Sequence, residues 1–485
     1  MAGPHKRNRS TSSQQLSRRL TNAKESTRLR RAIWWRSPPH RRTTKTSAKR
    51  KRPTTAAATR AGQKRRYATA RSGALVCVWS GRVWSRPKRK KMRQLLFTGF
   101  NAFGQHEFVN SPRDECAASA GFREISAHDG GNNNTKNQCT ISFAWRYTAY
   151  ALGRKLWLRG LLETEPGECV KVEAPGEIKA LAAGDSHCLV LLCTGELYKI
   201  QPKLEATLQA IRLENPPRPS TATKRTIFGA VKAPAPPSIE HIACGTNINV
   251  AVSSENAVYS IPSCLHQFPD RQWRVQQLIC GHEHALLLNG NGDVYTWGNG
   301  LRGQLGQAAL CVEETPQLIE SLAGIKITGI AAGGWHSAAI SAFGDLYTWG
   351  LNCSGQLGMR VMKPNGLQKE PTVYPLPQLH DLPDCCCCSS RESGNEDTDV
   401  CEPLKVFAGS RHTLLLRRCG RLWASGWCIH GQLGKQLCEQ NFLDAFQALH
   451  GVDADRDVVN VLCGPWATLL MVTQKKSVST DDPIS

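Results

Sequence analysis

Ala331-Ala332-Gly333-Gly334-Trp335-His336-Ser337, followed by Tyr347-Thr348-Trp349-Gly350 and Gly355-Gln356-Leu357-Gly358, spells a unit that the chain repeats. Two more copies open at Cys280-Gly281-His282-Glu283-His284-Ala285 and Ala408-Gly409-Ser410-Arg411-His412-Thr413. They close at Gly303-Gln304-Leu305-Gly306 and Gly431-Gln432-Leu433-Gly434. Gly281 and Gly333 stand 52 residues apart, as do Trp297 and Trp349. A fixed period of this size marks an array of units, none of which can bury its apolar face alone.

Offsets from the opening glycine identify weaker copies. Histidine falls at +3 (His187, His284, His336, His412), and glycine at +11 (Gly195, Gly292, Gly344, Gly420). An aromatic falls at +14 (Tyr198, Tyr295, Tyr347, Trp423). The degenerate copy at Gly245 keeps Tyr259 at +14 and places Asn256 at +11. Asparagine is the next-best residue for positive φ, so +11 predicts a tight two-residue hairpin turn between short strands.

Openers occur at Gly184, Gly245, Gly281, Gly333, Gly409, Gly464 and, weakest, Ala144-Trp145-Arg146-Tyr147-Thr148. Closing halves occur at Phe97–Gln105, Leu156–Gly160, Leu197–Ile200 and Val258–Ile261, then around Trp297, Trp349 and Gly426. There are seven of each, but the chain starts with a closer and ends with an opener. A ring explains the phase: Leu95–Phe97 would complete the sheet begun by the strands around Val461 and Ala467–Val472, leaving no open edge. Residues 94–472 supply about 54 residues per unit, enough for four strands. The expectation is an all-β chain, a seven-bladed β-propeller closed by its N- and C-terminal strands. Insertions are expected near 201–237 and 362–403, with a disordered tail at 473–485.

Charge is segregated. The chain of 485 residues carries a formal +23, yet residues 1–93 hold 29 Lys+Arg and one acid, Glu25, while the remainder nets −5. The first 93 residues have too few apolar groups to offset ordering entropy and are expected to be disordered. Lys49-Arg50-Lys51-Arg52-Pro53, Lys64-Arg65-Arg66 and Lys88-Arg89-Lys90-Lys91 are clusters of nuclear-import type, suited also to salt-sensitive, non-specific nucleic-acid binding. The same segment also reads as a solvated charge run, or as sequence upstream of a start at Met92. A disulfide scaffold with this density of cysteines, 20 in all, would be short and secreted, and this chain is long. No signal-peptide or membrane-spanning stretch is evident, so a reduced, intracellular, monomeric protein without membrane partners is expected.

The Gly-x-x-His, aromatic-x-Trp-Gly and Gly-Gln-Leu-Gly elements resemble the regulator of chromosome condensation repeat family. Phe100-Asn101-Ala102-Phe103-Gly104-Gln105 and Cys463-Gly464-Pro465-Trp466 are similar to a small single-propeller branch of it. The likeness spans roughly 380 residues and is weak between 160 and 275. It implies a nuclear, chromosome-associated scaffold docking chromatin or histones. It further implies a Jumonji-type histone-modifying oxygenase as partner and a role in chromosome segregation. Two rivals remain: a guanine nucleotide exchange factor for a small GTPase, as the family's founding member is, and a cytoplasmic adaptor.

No catalytic constellation, cofactor or metal is expected. Gly298-Asn299-Gly300-Leu301-Arg302-Gly303 matches a dinucleotide fingerprint, but Gly-Gln-Leu-Gly follows where a helix is required. Cys385 to Cys388 are adjacent and cannot readily converge on one zinc ion, and the loop continues as an acidic strip from Glu392 to Glu402. The +3 histidines recur once per unit, as a buried link between neighbouring blades would. Position +2 is mostly small or polar (Ser186, Asn247, Glu283) but becomes Trp335, Arg411 and Trp466 in three consecutive units. These form either an aromatic–cationic–aromatic docking arc on one rim or a seal in which both tryptophans fold over the adjacent blade.

Overall fold

Between Ile327 and His380 the repeat folds into four antiparallel strands, Ile327–Ala332, His336–Ser341, Leu346–Leu351 and Val373–His380. The computed structural model describes residues 81–82, 93–105, 119–125, 139–215, 237–268, 273–361, 372–383, 401–434, 441–449 and 456–474. The expectations for Lys49–Arg52, Lys64–Arg66, Lys88–Lys91, the Cys385–Cys388 run, the strip from Glu392 to Asp399 and the segment 475–485 lie outside these residues. Among the described residues no helix is long and apolar enough to cross a membrane.

Seven such sheets follow one another, and we number the blades I–VII. Blades I to VI begin at Cys139, Ile178, Ile239, Val275, Ile327 and Pro403. First strands of successive blades touch each other, which places them around a common axis. Blade VII joins both ends of the chain, with strand order Arg456–Cys463, Ala467–Gln474, Arg93–Gly99 and Ser119–Ile125. Leu95 pairs with Met471, Leu96 with Leu470 and Phe97 with Leu469, the closure anticipated from the phase of the repeats. Gly81–Arg82 also pairs with Ile141 and Thr140 at the inner edge of blade I.

The core is divided among the gaps between blades. Strand periodicity of two sends alternate side chains to opposite faces. Ala338 and Ile340 therefore enter the cluster shared with blade VI, and Ala339 the cluster shared with blade IV. Seven clusters fill the seven gaps. The gap from VII to I is filled by Leu95, Phe97, Leu469 and Met471 against Ile141, Phe143 and Tyr150. Burying each large side chain there contributes roughly 1.5–3 kcal/mol, so the joint between the chain ends is packed like any other.

Two expectations are corrected. Position +11 does take positive φ, at Gly195, Gly292, Gly344, Gly420 and Asn256. The loops are longer than expected, however. Asn289 pairs with Asp293 and Ser341 with Asp345, so three residues turn, with glycine in the last position. Blade I has the two-residue turn, between Leu152 and Lys155. In addition, both segments read as insertions supply outer strands: Gln209–Ala210 completes blade II and Val373–His380 completes blade V.

Candidate docking rim

The openers, which join first and second strands, lie at one end of the ring and are fixed from beneath by the +3 histidines. His284 Nε2 lies 2.9 Å from Ser337 Oγ of blade V, and Ser337 donates to the Gln304 carbonyl at 2.8 Å. With the serine proton so used, the hydrogen between His284 and Ser337 is carried by Nε2. His336 reaches Thr413 of blade VI at 2.9 Å, and Thr413 donates to the Gln356 carbonyl. Thr468 donates to the Gln432 carbonyl in the same way, but neither nitrogen of His412 has a hydrogen-bond partner among the described residues. Burial pushes all three imidazoles down to about 3, so they are neutral. The opening glycine makes room for the ring: a Cβ on Gly333 would sit 2.0 Å from His336 Cε1.

Position +1, which sequence reading passed over, carries a relay of backbone hydrogen bonds around the axis. Thr246 donates to the carbonyl of His282, His282 to Gly334, Gly334 to Ser410 and Ser410 to Pro465, at 2.9–3.1 Å. Proline has no N–H, and the relay stops there. Over Gly334 lies the imidazole of His282, bonded to Thr246 Oγ1 at 2.9 Å and Ser410 Oγ at 3.2 Å. It thereby links blades III and VI across the mouth of the ring. Desolvation lowers its pKa, opposed chiefly by Asp185.

The three +2 residues singled out from sequence reach the same rim but turn to different neighbours. Trp335 leans back over blade IV. Its Nε1 donates to Glu283 at 3.3 Å, and Arg302 stacks 4.7 Å from its ring centre. Glu283 also accepts from Asn247 and Asn299, so one carboxylate gathers residues of blades III, IV and V. Arg411 lies 5.9 Å over Trp427 of its own blade. Trp466 meets Trp145 and His430, each edge-on at 5.4 Å. Among the described residues no hydrogen bond or ring contact joins Trp335, Arg411 and Trp466 to one another, and the two tryptophans stand in two stations.

The second station, between blades VI, VII and I, is aromatic. Phe100 meets Phe103 at 5.4 Å, His430 at 5.5 Å and Trp145 at 6.5 Å. Trp145 remains 41% exposed, while Trp335 and Trp466 are half-buried. Sequence reading missed Trp145 because it stands at +1 of the weakest opener. Among the described residues no group of three or more His, Cys, Asp or Glu could hold a metal ion. Gly298–Gly303 leads into turns rather than a helix.

Models of the regulator of chromosome condensation (RCC1) repeat match residues 291–340 and, in a second form, 275–304 and 327–356. RCC1 domain-containing protein 1 of Homo sapiens is 30% identical over 369 residues, covering 70% of this chain and 88% of the relative. Its Mus musculus counterpart is 34% identical over 230 residues, covering 42% of this chain and 56% of the relative. Prp20p from Saccharomyces cerevisiae, whose structure was described with its binding to Gsp1p and histones, superposes with a TM-score of 0.57 at 14% identity. That match covers 80% of this chain and 93% of Prp20p. Human WBSCR16 superposes with a TM-score of 0.54 at 16% identity, over 80% of this chain and all of that one. At these identities the two structures show the shared fold.

Proposed function

The chain belongs to the regulator of chromosome condensation (RCC1) repeat family, and from that premise we propose that it is a non-enzymatic docking propeller for a chromatin-associated protein partner. Fold alone hosts many roles, so the reading rests on the rim. His284, Ser337, His336 and Thr413 are committed to hydrogen bonds that hold blades together, while Trp145, Trp335 and Trp466 keep surface open at one end of the ring. Tryptophan and arginine are the side chains that most often dominate binding energy in an interface.

Histones are the partner class this reading favours, since Prp20p was described with them. The finer form, drawn from the family resemblance, adds a Jumonji-type histone-modifying oxygenase as partner, a nuclear and chromosomal location, and a role in chromosome segregation. In that form the basic clusters of the first 91 residues drive import and hold nucleic acid non-specifically. The rival is nucleotide exchange on a small GTPase, because Prp20p was also described with Gsp1p. Titrating the purified full chain with reconstituted nucleosomes, and separately with GDP-loaded small GTPases, tests the proposal. Saturable nucleosome binding with unchanged nucleotide release is expected. Accelerated release without nucleosome binding would overturn it.

A further inference from the structure

The loop 161–168 brackets the aromatic station. It leaves the third strand of blade I where Leu161 N–H donates to the carbonyl of Arg146, next to Trp145. It returns where Gly167 N–H donates to the carbonyl of Phe103, at 2.8 Å. Between these anchors stand Glu163 and Glu165, and Glu168 follows directly, with no base. The carboxylate of Glu168 accepts from the backbone N–H groups of Leu162, Glu163, Thr164 and Glu165, at 2.7–3.3 Å. Those bonds, that of Glu163 foremost, hold its pKa below the usual carboxylate value. Glu163 accepts in addition from the Leu204 N–H at 3.3 Å, so the loop is a pre-shaped anionic frame whose backbone anchors adjoin Trp145 and Phe103.

From this juxtaposition we infer that Trp145 and the loop 161–168 form a seat for a lysine or arginine side chain in a basic peptide segment of the docked partner. The inference rests on the docking reading above and names the chemistry of what docks. An exposed indole face attracts a cation by about 0.5–1 kcal/mol, and more once desolvated. Arg146 and Arg159 share the neighbourhood, Arg159 with its Nε committed to the Gly104 carbonyl at 3.1 Å. The loop's three acids outnumber these two bases, and the chain beyond residue 93 nets −5. The crevice between Trp145 and Trp466 is too tight for a side chain, so the cation lies over the open indole face, with the acids at its flank. Phosphate is disfavoured beside three carboxylates, which selects a peptide over a nucleic acid.

Calorimetric titration of the full chain with a short peptide of alternating lysine and serine, and with the same peptide carrying norleucine for lysine, tests the seat. The lysine peptide should bind and the norleucine peptide should not. W145A should weaken binding about fivefold to tenfold with an unchanged melting curve, W145F should restore most of it, and E163Q with E165Q should flatten its salt dependence. Equal binding of both peptides would overturn the inference. Should folded W145A bind the lysine peptide as the parent does while Trp335 and Trp466 prove necessary for nucleosome binding, the seat fails and the docking reading stands.

Discussion

His284 of blade IV hydrogen-bonds Ser337 of blade V at 2.9 Å, and the Ser337 hydroxyl donates in turn to the Gln304 carbonyl of blade IV. The pair is a two-way tie across a gap that the buried Gln277 side chain also bridges, to the backbone of Ile330, beside the apolar cluster. Ser337→Ala leaves a buried Nε2–H without an acceptor, although the Gln304 carbonyl keeps Trp349 Nε1 at 2.9 Å. The expected loss is about 1–3 kcal/mol of unfolding free energy, read as a lower denaturant midpoint. An unchanged midpoint would show that the tie contributes nothing.

Acid sensitivity follows from the same imidazoles. Their folded pKa values, about 3, lie below the unfolded value near 6.5. Below about pH 6.5 the unfolded chain takes up protons that the folded chain does not. Their contribution is thus complete above that pH and declines as pH falls towards 3, by up to about 1.4 kcal/mol per pH unit for each histidine. Replacing His336 by Asn should make the pH dependence of the unfolding midpoint shallower between pH ~6 and ~4. A slope equal to the parent's would assign acid sensitivity to other groups.

Two glycines four sequence positions apart should respond in opposite ways. Gly333→Ala puts a methyl 2.0 Å from His336 Cε1 and should displace the ring at a cost of about 2 kcal/mol or more. Gly329, in the preceding strand, has nothing within 4 Å of an added Cβ. Gly329→Ala should be neutral or stabilise by up to about 1 kcal/mol. Thermal melts of the two variants side by side check the pair.

The ring was legible because its determinants are local and repeated: His336, Gly344 and Tyr347 stand at offsets that survive in four or five copies. Even the substitution of Asn256 for glycine was informative, and its φ of 63° shows why. The length of the turn was not legible, since positive φ serves two- and three-residue loops alike. The rim was half legible. Trp335, Arg411 and Trp466 do reach it, but their directions depend on Glu283, Arg302 and His430, which repeat geometry does not specify. The backbone relay through Gly334 and Ser410 left no side-chain signature at all.

Closure makes a further demand. Deleting residues 458–485 removes the partner strand of Leu95–Phe97 and part of two interblade cores. The truncated chain should expose an unpaired edge and aggregate during gel filtration. A monomeric truncation with an unchanged melting temperature would contradict the closed ring.

The docking claim is tested most directly by nucleosome binding and melting temperature measured together for the Trp335→Ala, Trp466→Ala double variant. Both tryptophans are half-buried at the rim and stand clear of the seven interblade clusters. Binding should fall by about 2 kcal/mol or more, roughly thirtyfold, while the melting temperature moves by only a few degrees. A large fall in melting temperature, with binding retained by the folded fraction, would assign both residues to packing and contradict the claim.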